Sequence, residues 1–170
     1  MTDRNVVLTG FMGTGKSTVG RVLAEQLGHG FADTDGIIEA RYGPIPAIFA
    51  EHGEGTFRRY ERDVAEELAG RRGLVIATGG RMMIDAVNAE RLAATGDVFC
   101  LSATIDTILE RVAPAGDAAS RPMLAGDDVR GSVERLLAER APVYAAFRVV
   151  DTDGRTPHDI AAEIAALVTA

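Results

Sequence analysis

Cysteine and lysine are almost missing from this sequence of 170 residues, which contains one residue of each type, Cys100 and Lys16. A single cysteine cannot form a disulfide bond within the chain, and this favours a reducing, cytoplasmic location. Long apolar runs are missing as well, since no stretch approaches the roughly 18–20 apolar residues that a membrane-spanning helix needs. These features exclude a disulfide-stabilised scaffold and a helical membrane protein.

The chain also lacks an excess of positive charge. Its 18 basic and 25 acidic residues give a formal net charge of −7. A nucleic-acid-binding protein needs a broad basic surface facing the phosphates, so we expect no nucleic-acid partner. The three histidines and the single cysteine show no metal-ligand spacing, which argues against a structural zinc site.

Short apolar runs alternate about five times with segments of helical periodicity, and the length suits a single domain, 1–170. Uninterrupted runs such as Leu74–Ala77 are typical of strands buried on both faces of a parallel sheet. We therefore predict an α/β fold with right-handed crossovers and a ligand site at the carboxyl ends of the strands. The predicted strands are 6–9, 30–32, 74–77, 98–101 and 148–151, and the predicted helices are 17–27, 37–42, 57–69, 85–94, 105–112, 129–141 and 157–168.

One long segment does not fit this alternation. Residues 113–126 are rich in small residues and lack apolar periodicity, although they lie between two predicted helices. A loop of this length inside a compact domain is usually either functional or disordered. We interpret the segment as a mobile lid.

The first predicted strand leads into a phosphate-binding motif. Residues 10–17, GFMGTGKS, match the P-loop pattern G-x-x-x-x-G-K-[ST]. Its glycines let backbone N–H groups point at phosphate oxygens, and the helix that follows adds its N-terminal dipole. A glycine-rich turn without a ligand is the disfavoured alternative, because strand, loop and helix are all in register. The predicted ATP-binding residues of the motif are Gly13, Thr14, Gly15, Lys16, Ser17 and Thr18.

Two aspartates, Asp33 and Asp35, follow the second predicted strand and should lie at the same end of the sheet as the P-loop. Paired carboxylates are typical of a metal site or a proton-transfer site. The alternative is a helix N-cap, for which aspartate is a preferred residue. No aspartate closes the strand Leu74–Ala77, so Asp33 is the nearest acidic candidate for Mg²⁺, together with the Ser17 hydroxyl.

Taken together with segments further along the chain, these motifs strongly resemble the shikimate kinase family. The P-loop is shared with many other proteins, whereas the later segments are far more specific. They occur in the family's order and cover nearly the whole chain. The matching segments are 10–18 (GFMGTGKST), 33–35 (DTD), 48–49 (IF), 53–54 (GE), 57–61 (FRRYE), 78–80 (TGG), 121–124 (RPML), 140–144 (RAPVY) and 150–152 (VDT).

The resemblance implies a small-molecule kinase of the nucleoside-monophosphate-kinase-like fold. That fold is a three-layer sandwich with a five-stranded parallel sheet flanked by helices. The implied substrate-binding region is about 33–62, and the implied lid is about 113–126. The family transfers the ATP γ-phosphate to the 3-hydroxyl of shikimate, in the pathway to the aromatic amino acids, with Mg²⁺ as cofactor. The resemblance also implies a monomer, while the charge and the short apolar runs predict no nucleic-acid or membrane partner.

The resemblance also implies roles for residues on the acceptor side of the site. Asp35 would hold and activate the accepting hydroxyl. Arg58 and Arg140 would grip the substrate carboxylate together with Gly80, and we place Gly79 in the same set. A planar guanidinium can hold a carboxylate bidentately, which a lysine cannot do.

On the nucleotide side, the resemblance implies that Arg121 is a lid arginine that reaches the ATP phosphates. It joins Lys16 and Asp35 as a catalytic residue. Arg155 resembles an arginine beside the adenine pocket, although this match is weaker.

The sequence departs from the family pattern after the third strand, where a third glycine is usual and Arg81 stands instead. This long cation could crowd the pocket, contact the substrate or Asp35, or point away. The departure keeps open a kinase for another small hydroxy acid, such as gluconate or an aminoshikimate. A sensor that binds nucleotide or shikimate without turnover is a further alternative, and the intact set Lys16, Ser17, Asp33, Asp35 and Arg121 counts against it.

Overall fold

The computed structural model describes residues 3–112 and 128–169. The predicted lid at 113–126, with Arg121, lies outside the described residues. The strands are β1 (Asn5–Gly10), β2 (Gly30–Asp33), β3 (Leu74–Ala77), β4 (Gly96–Ser102) and β5 (Arg148–Asp151). The helices are α1 (Lys16–Leu27), α2 (Thr34–Tyr42), α3 (Ile45–Ala69), α4 (Ala86–Thr95), α5 (Ile105–Val112), α6 (Val129–Tyr144) and α7 (Pro157–Thr169), with a 3₁₀ turn at Met82–Ile84.

The five strands form one parallel sheet in the order β2-β3-β1-β4-β5, which confirms the predicted α/β class. The central strand β1 pairs with β3 on one side and with β4 on the other. All carboxyl ends of a parallel sheet lie at the same edge. The P-loop after β1 and the aspartates at the end of β2 and just beyond it are therefore placed at one edge, as predicted.

Helices cover both faces of the sheet, and the central strand shows why its apolar run is uninterrupted. Val6 and Leu8 pack into a core cluster with residues of α1 and α7. Val7, which points to the opposite face, packs into a second cluster with residues of α2, α3 and α4. Burial on both faces explains why the consecutive residues Val6, Val7 and Leu8 are all apolar.

Helix α3 differs from the prediction, because it begins at Ile45 and not near residue 57. Pro46 is tolerated in its first turn, where the missing N–H would have no intrahelical partner. Gly53 interrupts the helix with φ 79° and ψ 168°, a conformation that favours glycine. Glu54 therefore opens a second helical half that continues to Ala69.

Within the described part of the chain, we find no helix with the length and apolar character needed to cross a membrane.

Candidate active site

The P-loop is held in its shape by close packing and internal hydrogen bonds. Gly10 has φ 130°, and a Cβ atom at this position would lie 2.3 Å from the Leu101 carbonyl oxygen of β4, so only glycine fits. The Thr14 hydroxyl donates to the Phe11 carbonyl over 2.7 Å. No side chain caps α1, which begins just after Gly15, and an uncapped helix N-terminus suits an anionic ligand.

Lys16 folds back over this loop. Its Nζ donates to the carbonyl oxygens of Gly10 at 2.8 Å and Phe11 at 2.9 Å. Burial lowers the pKa of Lys16 to about 8, although Asp35 and other nearby acidic groups act in the opposite direction. The side chain therefore stays mainly cationic at neutral pH.

Asp33 has two roles in the structure. Its Oδ1 accepts a hydrogen bond from the Gly36 N–H at 3.2 Å, so the carboxylate caps α2, as the alternative interpretation held. Its Oδ2 accepts a hydrogen bond from the Ser17 hydroxyl at 2.6 Å. A hydroxyl and a carboxylate beside the P-loop fit Mg²⁺, which often uses only one or two protein oxygens and takes its other ligands from phosphates and water. Among the described residues, no group of three or more His, Cys, Asp or Glu side chains could hold a metal ion.

Asp35 lies in the first turn of α2 and is not its cap. Burial raises the pKa of Asp35 to about 6, the negative charge of Asp33 adds to the effect, and Lys16 opposes it. The site has room for this carboxylate because of Gly79, where a Cβ atom would come within 2.4 Å of Asp35 Oδ1. Arg58 also acts on the pKa of Asp35, so this carboxylate lies within electrostatic range of both cations.

Arg58 is held on helix α3 by two glutamates. Its Nη1 donates to Glu61 Oε2 at 2.6 Å, and its Nε and Nη2 donate to Glu54 Oε1 at 3.2 and 3.1 Å. Glu61 is only 2% exposed, and its burial raises its pKa, while Arg58 opposes that change. The sequence assigned no role to either glutamate, although their three- and four-residue spacing from Arg58 is the spacing of partners on a helix.

Arg81 lies beside the same group. Its Nη1 donates to Glu54 Oε1 at 3.2 Å, so one oxygen of Glu54 accepts from two arginines. The hydrogen bond of Arg81 goes to Glu54 and not to Asp35, which argues against the alternative that Arg81 contacts Asp35. The side chain is 42% exposed and lies at the edge of the site.

Arg140 and Gly80 meet on the other side of the site. Arg140 is 4% exposed, and its Nη1 donates to the Gly80 carbonyl at 3.2 Å. The hydroxyl of Tyr144, one turn later on α6, donates to the same carbonyl at 3.1 Å. The guanidinium also lies over the Phe11 ring, 5.2 Å from its centroid. These contacts place a buried cation next to the P-loop.

Two arginines, Arg111 and Arg155, contact the chain at the end of β5. Arg155 donates to the Asp151 carbonyl at 2.9 Å and pairs with Glu163 at 2.7 Å, on α7. Arg111, which the sequence did not single out, donates to the Gly13 carbonyl of the P-loop at 3.2 Å and to the Thr152 hydroxyl at 3.1 Å. Arg111 therefore joins the P-loop to the turn after β5, whereas a position of Arg155 beside adenine stays a prediction.

Comparison with known proteins identifies close relatives. A family model described as "Shikimate kinase" matches residues 12–169. A shikimate kinase from Symbiobacterium thermophilum is 44% identical over 163 residues, covering 94% of this chain and 93% of its own length. One from Thermodesulfovibrio yellowstonii is 38% identical over 163 residues, covering 95% and 92%.

Solved structures show the same relationship. The shikimate kinase from Acinetobacter baumannii in complex with shikimate aligns with a TM-score of 0.91 and 38% identity, covering 99% of this chain and 94% of its own. A gluconokinase from Sinorhizobium meliloti, at 18% identity and a TM-score of 0.62, shares the fold alone. The sheet and its flanking helices have the nucleoside-monophosphate-kinase-like architecture of these kinases, as predicted.

Proposed function

The chain belongs to the shikimate kinase family, as its motifs predicted, and from this we propose that it transfers the γ-phosphate of ATP to the 3-hydroxyl of shikimate. The products are shikimate 3-phosphate and ADP, in the pathway to the aromatic amino acids. One observation carries the proposal beyond family likeness. Asp35 packs against Gly79, and the carbonyl of the next residue, Gly80, accepts a hydrogen bond from the buried Arg140, so the proposed base and a proposed ligand of the acid lie beside the same turn.

The nucleotide end of the site uses the P-loop. We assign the phosphates of ATP to the backbone of Gly13, Thr14 and Gly15 and to the N-terminus of α1. On binding, Lys16 would exchange the carbonyl oxygens of Gly10 and Phe11 for phosphate oxygens. Its positive charge would then stand where negative charge is transferred, the main electrostatic requirement of phosphoryl transfer.

The acceptor end of the site would bind the carboxylate of the substrate. Shikimate carries its carboxylate at one end and the reacting hydroxyl at the other. Arg58 on α3 and Arg140 on α6 present guanidinium groups that suit bidentate binding of that carboxylate, and Gly80 contributes its backbone beside Arg140. Two fixed cations at one end would orient the hydroxyl toward Asp35, and such positioning supplies much of the catalysis in this reaction class.

Asp35 accepts the proton in this mechanism. As the hydroxyl attacks, its proton passes to a carboxylate oxygen of Asp35. A base works best when its pKa lies near the operating pH, and a value of about 6 is closer to neutrality than that of an ordinary aspartate. Gly79 preserves the space in which this carboxylate lies.

The Ser17 hydroxyl and the Asp33 carboxylate would hold Mg²⁺ at the phosphates. When bound, this ion would neutralise charge on the phosphate oxygens. Arg121 keeps its proposed role as a lid arginine at the phosphates, on sequence grounds alone. The single-domain organisation, the cytoplasmic location, the monomeric state and the lack of nucleic-acid and membrane partners also stay predictions.

The test is an assay of ADP release with shikimate, with gluconate, with nucleoside monophosphates and with no acceptor. We expect turnover with shikimate well above the rate without acceptor. If the protein turned over gluconate but not shikimate, gluconate would be its substrate and the proposed function would be wrong. No turnover with any acceptor, combined with tight nucleotide binding, would favour a sensor.

The carboxylate grip can be tested by Arg58→Lys, which keeps the charge but loses bidentate geometry. We expect the KM for shikimate to rise about 10- to 100-fold, since hydrogen bonds to charged groups contribute about 1.5–3 kcal/mol. The KM for ATP should stay within about twofold of the wild-type value, because the P-loop is untouched. Steady-state kinetics with each substrate varied in turn gives both values.

Arg59→Lys is the matched control, because Arg59 is the exposed neighbour on the same helix. It should leave both KM values unchanged. If Arg58→Lys raised the two KM values equally, the assignment of Arg58 to the acid would be wrong.

A further inference from the structure

Arg58 already binds carboxylates of its own chain at the place proposed for the substrate. Its Nη1 donates to Glu61, and its Nε and Nη2 both donate to Glu54 Oε1. The edge formed by Nε and Nη2 is one that can bind a carboxylate bidentately. Glu54 therefore occupies a position that a substrate carboxylate could take.

The two glutamates differ in how readily they can leave Arg58. Glu61 is almost fully buried, and separating it from Arg58 would leave an uncompensated charge in the interior, which is costly. The Glu54 side chain is 54% exposed, and exposed ion pairs contribute little to stability. Glu54 is thus the exchangeable partner, while Glu61 fixes the guanidinium.

Arg81 supplies a second cation for the glutamate that leaves. It donates to the same Oε1 atom of Glu54 that Arg58 uses. If Glu54 turned away from Arg58, it would still have Arg81 as its partner. A glycine at position 81 has no side chain and could not offer this contact.

We propose that Glu54 competes with the substrate carboxylate for Arg58, and that Arg81 is a positioning residue that draws Glu54 aside when the acid binds. This proposal rests on the proposed function, because it takes Arg58 as a ligand of the acid. In the free protein, Glu54 is shared between two arginines. In the complex, the acid takes the Nε–Nη2 edge of Arg58, and Glu54 stays on Arg81.

The proposal is tested by the variants Arg81→Gln, Glu54→Gln and the double variant, with KM and kcat measured for shikimate. Arg81→Gln should raise the KM for shikimate about two- to fivefold, the range expected for exposed ion pairs, with kcat unchanged. Glu54→Gln should lower that KM by a similar factor, because the competitor is lost. The double variant should match Glu54→Gln, since Arg81 acts only through Glu54.

Two further variants separate this role from a general effect on the fold. Unlike Arg81→Gln, Arg81→Lys should keep the KM for shikimate near the wild-type value, because lysine keeps a cation at position 81. Arg91→Gln removes a comparable exposed pair, that between Arg91 and Glu66, and should leave the KM unchanged. Thermal unfolding of each variant verifies that the fold is intact.

Several outcomes would overturn the proposal. An equal rise in KM from Arg81→Gln with and without Glu54 would mean that Arg81 contacts the substrate directly. A higher KM for shikimate in Glu54→Gln would mean that Glu54 assists substrate binding and does not compete with the substrate. An unchanged KM in Arg81→Gln would mean that Arg81 has no part in substrate binding. These results require an active wild-type protein. Wild-type protein that neither binds nor phosphorylates shikimate would instead overturn the proposed function, and this proposal with it.

Discussion

Replacement of Asp35 by asparagine is expected to lower kcat for shikimate by about 10²- to 10⁴-fold, the range of general base catalysis. Asparagine keeps the size of the side chain but cannot accept the proton of the attacking hydroxyl. ATP affinity should change by less than about threefold, because no residue of the P-loop is replaced. The measurements are ADP release under saturating substrates and calorimetric titration with ATP.

The dependence of wild-type kcat/KM on pH gives an independent measure of the pKa of Asp35. With the pKa of Asp35 raised to about 6, the carboxylate is increasingly protonated below pH 6 and can no longer accept a proton. We therefore expect kcat/KM to fall about tenfold for each pH unit below this value, since kcat/KM reports the groups of the free enzyme. An aspartate of ordinary pKa would keep its activity down to about pH 4.

Asp63→Asn is the control for Asp35→Asn, because Asp63 is exposed on α3 and has no proposed role. It should leave kcat and the pH profile unchanged. Full turnover in Asp35→Asn would remove Asp35 from the proton transfer, whereas a wild-type profile that is level down to pH 5 would contradict its raised pKa.

Strands such as β3 could be predicted from sequence because they are buried on both faces. Each of the five predicted strands overlaps an observed one, and runs such as Leu74–Ala77 are apolar at every position. The sequence signal is local in such strands, because no polar residue interrupts it. The strand order could not be obtained in the same way. It depends on which runs pair across the sheet.

The first half of α3 was missed for a physical reason that also matters for the site. Pro44, Pro46, Gly53 and Gly55 stand close together in the sequence, and these residues usually mark turns and not helices. Here Pro46 falls in the first turn and Gly53 at a break with positive φ, two places where helices accept them. The break places Glu54 at the start of the second half, within reach of Arg58.

The candidate site likewise contains residues that could be predicted from the sequence and residues that could not. The P-loop was predictable because its residues are contiguous and their spacing carries the chemistry. Arg111 was not, since it contacts Gly13 from 98 residues away and stands in an ordinary helical pattern. Tyr144 belonged to a family segment, but its bond to the Gly80 carbonyl spans 64 residues. Contacts of this kind depend on the packed fold, which one sequence does not reveal.

Lys16, the one lysine of the chain, provides the second large effect. Lys16→Met is expected to lower kcat by about 10²- to 10³-fold, the usual cost of losing one preorganised electrostatic group. Lys16→Arg is the sharper test, because it keeps the charge and changes only its shape. We expect a loss in the same range, since the guanidinium is wider than the ammonium that now lies 2.8 and 2.9 Å from two loop carbonyls.

Gly10 packs closely against the Leu101 carbonyl of β4, so we expect little room for the loop to move toward β4 and accept the larger group. Arg21→Lys, on the exposed side of the same helix α1, is the control for exchanging the two residue types and should leave kcat unchanged. The chain has 17 arginines and one lysine, so a general preference for arginine over lysine would account for most of its basic positions. Such a preference does not explain why position 16 is a lysine, whereas the limited space in the P-loop does. Near-normal turnover in Lys16→Arg would show that the lysine is retained by chance.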